Sequence, residues 1–436
     1  MLSTKDNQDL SLIGPGTLMG NFMRQFWIPA CASRELEPDA APMRLMLMGE
    51  KLVAFRDSEG RVGVLDHLCP HRCASLFFGR NEKSGLRCAY HGWKFDVEGN
   101  CLEMPNVPDK FDFSPKVKAK AYPVRERNGL VYVFMGDPAS IPPLPEIDAL
   151  MLPENEVDIF LMQRECNWLQ SAEGDIDTSH FGFLHLGLVD DEDVDHDNIH
   201  AASVLDRAPE YFCKDAQWGT TYCAFRPAPQ DDMTHYRFSH FQFPFFTLFP
   251  DGTFEDNMVV TCNVPMDDTH TMVVVVTYKK REEALRTRKD GSAIPGLEID
   301  AAGTGVPMIP NDAGWFGRFR GERRASNDYL IDRAAQKSDN WSGIETVVGQ
   351  DQAMVESMGA LVPREFEHMA PSDIMVARTR RRLLKAARAY AEKGVLPEVQ
   401  TDVALSHNLR SGTFLAPKNL DWVAAYKEKV AEMQKV

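Results

Sequence analysis

Two short stretches of the chain each pair a cysteine with a histidine: Cys69-Pro-His71 and, sixteen residues later, Cys88-Ala-Tyr-His91. Two thiolates and two imidazoles are the ligands of a Rieske [2Fe–2S] centre, in which the cysteines bind one iron and the histidines the other. Because neutral imidazoles replace two anionic thiolates, the reduction potential exceeds that of a four-cysteine plant-type cluster. The spacing therefore predicts an electron-accepting cluster bound by Cys69, His71, Cys88 and His91.

A second group of metal-ligand types follows in Glu173-Gly-Asp-Ile-Asp177-Thr-Ser-His180-Phe-Gly182-Phe-Leu-His185. On a helix Glu173, Asp177 and His180 share one face. His185 lies roughly 140° further round, so both imidazoles face one ion only if the helix ends or distorts near Gly182. Two imidazoles and one carboxylate leave open coordination positions and are typical of oxygen-activating Fe(II) sites. Two core histidines are the alternative, but the cysteine–histidine motif upstream favours iron.

The third protein ligand of such an iron must come from elsewhere in the chain. Asp351, in Val-Val-Gly-Gln-Asp351-Gln-Ala-Met, is the best candidate. Asp339, Glu345 and Glu356 have equivalent chemistry and remain rivals on the residues alone.

Length and charge narrow the class of protein. A chain of 436 residues suggests two or three domains. Its net charge of −16 argues against nucleic acid or an anionic membrane as the partner. We see no basic and apolar leader at the start and no apolar run of membrane-spanning length. The nine scattered cysteines argue against a disulfide framework and favour a reducing cytoplasm.

The elements that must position these residues predict an α+β protein with two main domains. Residues 25–137 carry alternating runs and turn signals, such as DSEG at 57–60, and predict an antiparallel β domain with both ligand loops at one end. Residues 138–147 are proline-rich and predict a linker. Residues 148–436 mix strands and helices, and predict a catalytic domain built on an antiparallel sheet, similar to a helix-grip fold. Residues 1–24 are expected to pack on that catalytic domain.

Local patterns within residues 148–436 predict individual strands and helices. MVVVV at 272–276 is short and β-branched and predicts a buried strand. Residues 212–278 alternate as strands do, whereas 344–393 contain helical patterns that include an amphipathic surface helix.

With both metal motifs in place, the chain resembles the oxygenase component of Rieske non-haem iron aromatic-ring hydroxylating oxygenases, in particular the phthalate dioxygenase group. The resemblance covers nearly the whole chain and includes two independent metal motifs in the right order. The matching segments are CPHR at 69–72, CAYHGW at 88–93, NWLQSAEGDIDTSHFGFLH at 167–185, NDYLIDR at 327–333 and QDQAMVESMG at 350–359.

The resemblance implies one [2Fe–2S] cluster and one mononuclear Fe(II) in each subunit. It implies that His180, His185 and Asp351 are the iron ligands. It also implies that Asp177 bridges this iron site to the cluster ligand His91 of a neighbouring subunit. Such a bridge requires a head-to-tail ring, either a homotrimer or stacked trimers.

The resemblance further implies an aromatic acid and O2 as substrates, with hydroxylation of the phthalate 4,5-dioxygenase type. O-demethylation and diaryl-ether cleavage of an aromatic acid are the alternatives. An anionic substrate requires a buried cation, preferably a bidentate arginine. Arg207 is the first candidate, followed by Arg226 and Arg237; a surface pair between Arg207 and Asp206 is the alternative. The phenylalanine-rich stretch 241–249 suits an aromatic pocket wall or a core strand equally well.

No nucleotide-binding GxGxxG motif follows a strand, so we expect a separate NAD(P)H-dependent reductase to supply electrons. A hypothesis from another class is an electron-transfer Rieske protein, or a zinc protein that uses the same cysteines and histidines. Some 290 residues with a second ligand set argue against a simple carrier. Colour distinguishes zinc from iron, because an oxidised Rieske protein is red-brown.

Overall fold

Two short helices begin the chain, α1 (Thr4–Ser11) and α2 (Leu18–Met23), in a computed structural model that describes residues 2–280, 285–297, 303 and 305–433. Hydroxyl side chains cap both helices: the Ser3 hydroxyl accepts from the Asp6 N–H and the Thr17 hydroxyl from the Gly20 N–H. The two helices lie against a long helix near the C-terminus, where the rings of Phe22 and Tyr390 are 6.5 Å apart.

Ten strands follow, and they form three small antiparallel sheets with the orders β1-β10-β9, β2-β3-β4 and β5-β6-β7-β8. The strands are β1 (Trp27–Ala32), β2 (Met43–Leu47), β3 (Glu50–Arg56), β4 (Val62–Asp66), β5 (Arg80–Asn81), β6 (Leu86–Arg87), β7 (Lys94–Phe95), β8 (Cys101–Glu103), β9 (Val124–Arg127) and β10 (Leu130–Phe134). The predicted turn at 57–60 joins β3 to β4, with Gly60 at φ +81° donating to the Asp57 carbonyl.

The rest of the chain forms an eight-stranded antiparallel sheet in the order β11-β17-β16-β15-β14-β13-β12, with β18 also paired to β14. Its strands are β11 (Val157–Arg164), β12 (Glu210–Asp215), β13 (Gly219–Pro227), β14 (Met233–Gln242), β15 (Phe246–Leu248), β16 (Val259–Pro265), β17 (Thr271–Tyr278) and β18 (Gly412–Pro417). The strand predicted at 272–276 is confirmed, because it forms the buried body of β17.

Seven helices accompany this sheet in the described part of the chain. They are α3 (Asp148–Met151), α4 (Trp168–Ile176), α5 (Ala202–Leu205), α6 (Ala335–Ser338), α7 (Val347–Ser357), α8 (Ile374–Lys393) and α9 (Trp422–Met433). The predicted amphipathic helix is α8, which buries Met375, Thr379, Leu383 and Ala387 at helical spacing. Across the described ranges, no helix has both the length and the apolarity that crossing a membrane requires.

Helices lie on both faces of the large sheet. The apolar side of α4, with Trp168, Leu169 and Ile176, joins the main hydrophobic core together with residues of β16 and β17. On the other face α9 covers β14 and β18, where the rings of Phe238 and Tyr426 are 4.7 Å apart. An N-terminal antiparallel β part and a C-terminal α+β part confirm the predicted fold class.

Candidate metal centres

The two cysteine–histidine motifs form a pair of similar loops. The first lies between β4 and β5, and the second joins β6 to β7. Each closes with a hydrogen bond to the cysteine carbonyl, from the Cys73 N–H to Cys69 at 2.9 Å and from the Gly92 N–H to Cys88 at 3.0 Å. Cys73 and Gly92 both have positive φ, at 57° and 76°. The matching backbone therefore presents the motif residues of both loops to a common point.

The loops separate thiols from imidazoles by depth. Cys69 and Cys88 are buried, and burial raises the pKa of the Cys69 thiol to about 12. The rings of His71 and His91 are only half-buried and have centroids 4.5 Å apart. His71 also stacks on Trp93 at 4.3 Å, which fixes the plane of its ring.

This donor set fits a Rieske cluster. Two thiols on one side and two imidazoles on the other match the ligands of its two irons. Metal binding would deprotonate the buried thiols and thereby overcome the raised pKa of Cys69. Among the described residues all nine cysteines are free, so Cys69 and Cys88 are available.

The segment from Glu173 to His185 is not one regular helix, and it is distorted around Gly182, as the five-residue spacing of its two histidines predicts. Helix α4 ends at Ile176, and Asp177 caps it with extended backbone (φ −81°, ψ 108°). A single π-helical turn then spans Phe181–His185. Such turns are rare and cluster at functional sites. The turn brings the rings of His180 and His185 to 5.1 Å between centroids, despite their five-residue spacing.

Helix α7 supplies a carboxylate opposite the two histidines. The Asp351 Oδ1 lies 3.2 Å from Nε2 of His185 and 3.5 Å from Nε2 of His180. One ligand atom from each of the three residues lies within 4.8 Å of the other two. Two imidazoles and one carboxylate around a common point fit a non-haem Fe(II) with open coordination positions.

The rival carboxylates lie elsewhere. Asp339 is exposed, Glu345 pairs with Arg323, and Glu356 accepts a hydrogen bond from the Tyr329 hydroxyl at 2.6 Å. Glu173, expected on the face of Asp177 and His180, points away from them. It forms ion pairs with Arg364 at 3.0 Å and Arg380 at 2.6 Å. The shared-face expectation fails for Glu173 because the helix ends before Asp177.

Asp177 contacts the outer nitrogen of a histidine. Its Oδ2 lies 3.5 Å from Nδ1 of His180, and its Oδ1 accepts from the Ser179 N–H at 2.7 Å. Burial opposes ionisation of Asp177, but the hydrogen bond from His180 and the backbone N–H groups outweigh it, so the pKa of Asp177 lies below its usual value. The side chain is 30% exposed and therefore accessible from outside.

The outer nitrogen of His185 has a partner that the sequence analysis missed. Gln350 Oε1 lies 2.6 Å from Nδ1 of His185. The only feature of the sequence that points to Gln350 is its position directly before Asp351. A glutamine at that position belongs to no ligand motif, so the sequence alone does not identify it.

A cavity opens beside the three metal-ligand candidates. Its wall includes His180, His185 and Asp351, apolar side chains from β17 and α7, and buried charged side chains among which are Arg164, Arg237 and Asp251. A larger surface cleft between α8 and α9 is lined by Trp218 and Lys385 and lies away from these ligands. The smaller cavity is therefore the one that adjoins the three metal-ligand candidates.

Arg237 is one of two buried arginines on this wall; the other, Arg164, lies 3.7 Å from the Asp175 carboxylate. Arg237 lies on β14 between Tyr236 and Phe238, which face α9, so its own side chain points to the opposite face. Its Nε donates to the Thr178 hydroxyl at 3.3 Å, and its guanidinium stacks 4.4 Å from the centre of the Phe181 ring. Nη1 has no hydrogen-bond partner within the described part of the chain. Burial lowers the pKa of Arg237 to about 10, so it stays charged at neutral pH.

Arg207, which the sequence ranks first as the cation for an anionic substrate, does not line this cavity. Its guanidinium donates to the carbonyls of Val189 at 2.7 Å and Leu186 at 3.2 Å, and it lies outside the cavity wall. The alternative for Arg207 was a surface pair with Asp206, but its guanidinium donates to these carbonyls instead. Arg226 is buried behind the wall and donates to the Asp206 carbonyl at 2.6 Å.

Comparisons with known proteins agree with this arrangement. Residues 26–123 match the Rieske [2Fe-2S] domain family, and residues 133–436 match the family described as LigXa C-terminal domain like. The chain therefore carries a Rieske [2Fe–2S] domain, as the first motif predicts.

Curated relatives match along the whole chain. The oxygenase subunit of 3-chlorobenzoate-3,4-dioxygenase from Comamonas testosteroni is 46% identical over 99% of both chains. The oxygenase subunit of phthalate 4,5-dioxygenase from Pseudomonas putida is 34% identical over 97% of this chain and 94% of its own.

Solved structures share the fold. The structure of dicamba monooxygenase bound to 3,6-dichlorosalicylic acid has a TM-score of 0.56 at 18% identity. The match covers 86% of this chain and 100% of that one. NdmA from Pseudomonas putida CBB5, as a mutant with theobromine, has a TM-score of 0.57 at 18% identity, over 92% of this chain and 99% of its own. The chain belongs to the Rieske non-haem iron oxygenases, as an oxygenase subunit of the phthalate dioxygenase group.

Proposed function

We propose that the protein is the oxygenase component of a system that hydroxylates an aromatic carboxylate. Membership of the family establishes an oxidoreductase that uses O2 and a separate reductase. The observation that carries the choice of substrate class is the buried Arg237 guanidinium on the wall of the cavity beside His180, His185 and Asp351.

His180, His185 and Asp351 are the proposed iron ligands, and Cys69, His71, Cys88 and His91 the proposed cluster ligands. Iron bound by the three residues would supply O2 activation at its open positions. Asp177 holds the His180 ring from its outer side, which leaves Nε2 directed at Asp351. The proposed role of Asp177 is to link this ring to His91 of a neighbouring subunit.

Arg237 is suited to a carboxylate because one arm of its guanidinium is buried without a partner. The Asp251 carboxylate on the same wall acts to raise the pKa of Arg237, and Arg226 adds positive charge that acts to lower it, but neither supplies Nη1 with a hydrogen bond. A buried donor without an acceptor costs free energy, which a bound carboxylate would recover. We therefore propose Arg237 in place of Arg207 as the substrate clamp.

The remaining wall suits an aromatic ring. Val273 and Val275 from β17 and Leu297 from the segment after it line the cavity with Phe181. Apolar side chains with a few placed charged groups are the usual composition of a pocket that orients a small organic anion. The ring would pack against the aliphatic side chains while Arg237 fixes its carboxylate.

The relatives support this class without fixing the individual substrate. The names of the two full-length relatives specify 3-chlorobenzoate and phthalate, both aromatic carboxylates. O-demethylation is the second candidate, because the oxygenase subunit of 5,5'-dehydrodivanillate O-demethylase is 41% identical over 42% of the chain.

We also propose a head-to-tail trimer or stacked trimers. Exposed apolar side chains lie on both parts of the chain: Tyr90 and Phe111 on the β part with the cluster loops, and Met354 on α7 and Met358 directly after it, near Asp351 in the sequence. Exposed apolar patches of this kind mark interaction sites.

The free cysteines support a reducing cytoplasm as the location.

Aerobic turnover with a reductase tests the function. Chlorobenzoates, phthalate isomers, phenoxybenzoates and methoxybenzoates serve as substrates, and diol, phenol and formaldehyde are measured. We expect a cis-dihydrodiol from at least one carboxylate. Formaldehyde from a methoxybenzoate without diol formation would establish the demethylase instead, and turnover of neutral aromatics alone would contradict the proposal.

A further inference from the structure

Gln350 connects the loop before α7 to the second histidine of the iron site. It is fully buried and directly precedes Asp351. Its Oε1 lies 2.6 Å from Nδ1 of His185, and its Nε2 donates to the Ile344 carbonyl at 2.9 Å. One side chain thus spans from a loop carbonyl to a ligand ring.

The orientation of the Gln350 amide follows from its partners. The Ile344 carbonyl can only accept, and it also receives the Asn340 side-chain amide at 2.7 Å. The Gln350 nitrogen must therefore face Ile344, which leaves its oxygen facing His185. Since an amide oxygen can only accept, Nδ1 of His185 carries a proton, and in the neutral imidazole that binds a metal Nε2 keeps its lone pair. That lone pair faces Asp351, 3.2 Å away.

A glycine packs against this amide pair. A Cβ at Gly296 would lie 2.6 Å from Nε2 of Gln350 and 2.4 Å from Nδ2 of Asn340. Gly296 also has φ +91°, a conformation that favours glycine. The close backbone holds the Gln350 amide in one plane, so the acceptor for His185 is fixed before any metal binds.

We propose that Gln350 is a positioning residue that sets the tautomer and ring orientation of His185 for iron binding. The inference rests on the proposed function, since it takes His185 as an iron ligand. The two histidines then have unlike outer partners, a carboxylate on His180 and a neutral amide on His185. A neutral acceptor orients the ring without adding a third negative charge beside Asp177 and Asp351.

Fe2+ titration tests the proposal. The full-length protein is used with its cluster intact and its mononuclear iron removed by a chelator. Gln350→Met keeps the side-chain length and removes both hydrogen bonds. We expect the dissociation constant for Fe2+ to rise about 10- to 100-fold, the usual effect of losing such an outer partner. The visible spectrum of the cluster is expected to stay unchanged.

Gln352→Met is the matched control. Gln352 is a second buried glutamine on α7, and it donates to Glu356 at 2.8 Å rather than to a metal-ligand candidate. Its substitution is expected to leave Fe2+ affinity unchanged. Equal Fe2+ affinity in the Gln350→Met and Gln352→Met proteins would overturn the proposal.

Two further variants keep the test decisive. Gln350→Glu retains an oxygen for His185 and is expected to restore most of the affinity; a loss as large as that of Gln350→Met would contradict the hydrogen-bond argument. If Gln350→Met does not fold, Gly296→Ala displaces the same amide and is expected to weaken Fe2+ binding, and unchanged affinity there would also overturn the proposal.

His185→Ala separates this inference from the proposed function. Loss of Fe2+ binding in His185→Ala, with wild-type affinity in Gln350→Met, would refute the role of Gln350 alone. Wild-type affinity in His185→Ala would refute the iron site itself.

Discussion

Asp177 Oδ2 lies 3.5 Å from Nδ1 of His180, on the side of the ring opposite the nitrogen that faces Asp351. The carboxylate has a pKa below its usual value, so it stays ionised at neutral pH, and 30% of its side chain is exposed. An ionised group that contacts an iron-ligand candidate on one side and is accessible on the other meets what the proposed link to a neighbouring subunit requires.

Arg237→Met is expected to raise the KM for the aromatic carboxylate by about 10- to 100-fold. The reason is the loss of charge-assisted hydrogen bonds worth about 1.5–3 kcal/mol, where 1.4 kcal/mol is tenfold. Steady-state kinetics on an aromatic acid and its uncharged carboxamide provide the measurement, because the carboxamide should lose much less.

Arg207→Met is the control for that experiment. Since Arg207 donates to the carbonyls of Leu186 and Val189, its loss should lower the melting temperature and leave the preference for acid over amide unchanged. Loss of the preference for acid over amide in Arg207→Met, but not in Arg237→Met, would show that Arg207 binds the substrate carboxylate.

Asp351→Ala is expected to remove the mononuclear iron and leave the cluster. Total iron analysis and the EPR signal of the nitric oxide adduct measure the mononuclear iron, and the visible spectrum measures the cluster. Glu345→Ala is the matched control, because Glu345 is exposed and pairs with Arg323. Retention of the nitric oxide signal in Asp351→Ala would show that another carboxylate binds the iron.

Glu173→Gln is expected to destabilise the fold without affecting iron. Burial opposes ionisation of Glu173, but Arg364 and Arg380 outweigh it and hold its pKa below the usual 4.5. Breaking a buried ion pair on one side costs about 3–5 kcal/mol.

The pH dependence of that effect has a definite sign. Because the folded-state pKa is lowered, the stabilisation by Glu173 is complete above pH 4.5 and is lost as pH falls through the folded-state pKa. Denaturation at pH 7 and at successively lower pH below 4.5 should show the gap between wild type and Glu173→Gln narrowing. The exposed Glu428→Gln protein serves as control, and a gap that widens in acid would contradict the assignment.

The sequence predicted the class of fold, the family and the cofactors, because these depend on local patterns: alternating strands, the buried run at 272–276 and two ligand motifs. It could not place Glu173, since the end of α4 at Ile176 depends on tertiary contacts of the whole segment. It could not rank Arg237 above Arg207 either. That order depends on the face to which β14 directs Arg237 and on the backbone carbonyls to which Arg207 donates.

We propose that electrons accepted by the cluster are consumed with O2 at the site of His180, His185 and Asp351, with Asp177 as the link. The most direct measurement is a single turnover, in which protein with a reduced cluster is mixed with O2 and an aromatic acid while cluster absorbance is followed. Wild-type protein should reoxidise its cluster and form product. Asp177→Asn should retain both metal centres and reoxidise its cluster about 10- to 100-fold more slowly. Reoxidation of the Asp177→Asn cluster at the wild-type rate would contradict the claim.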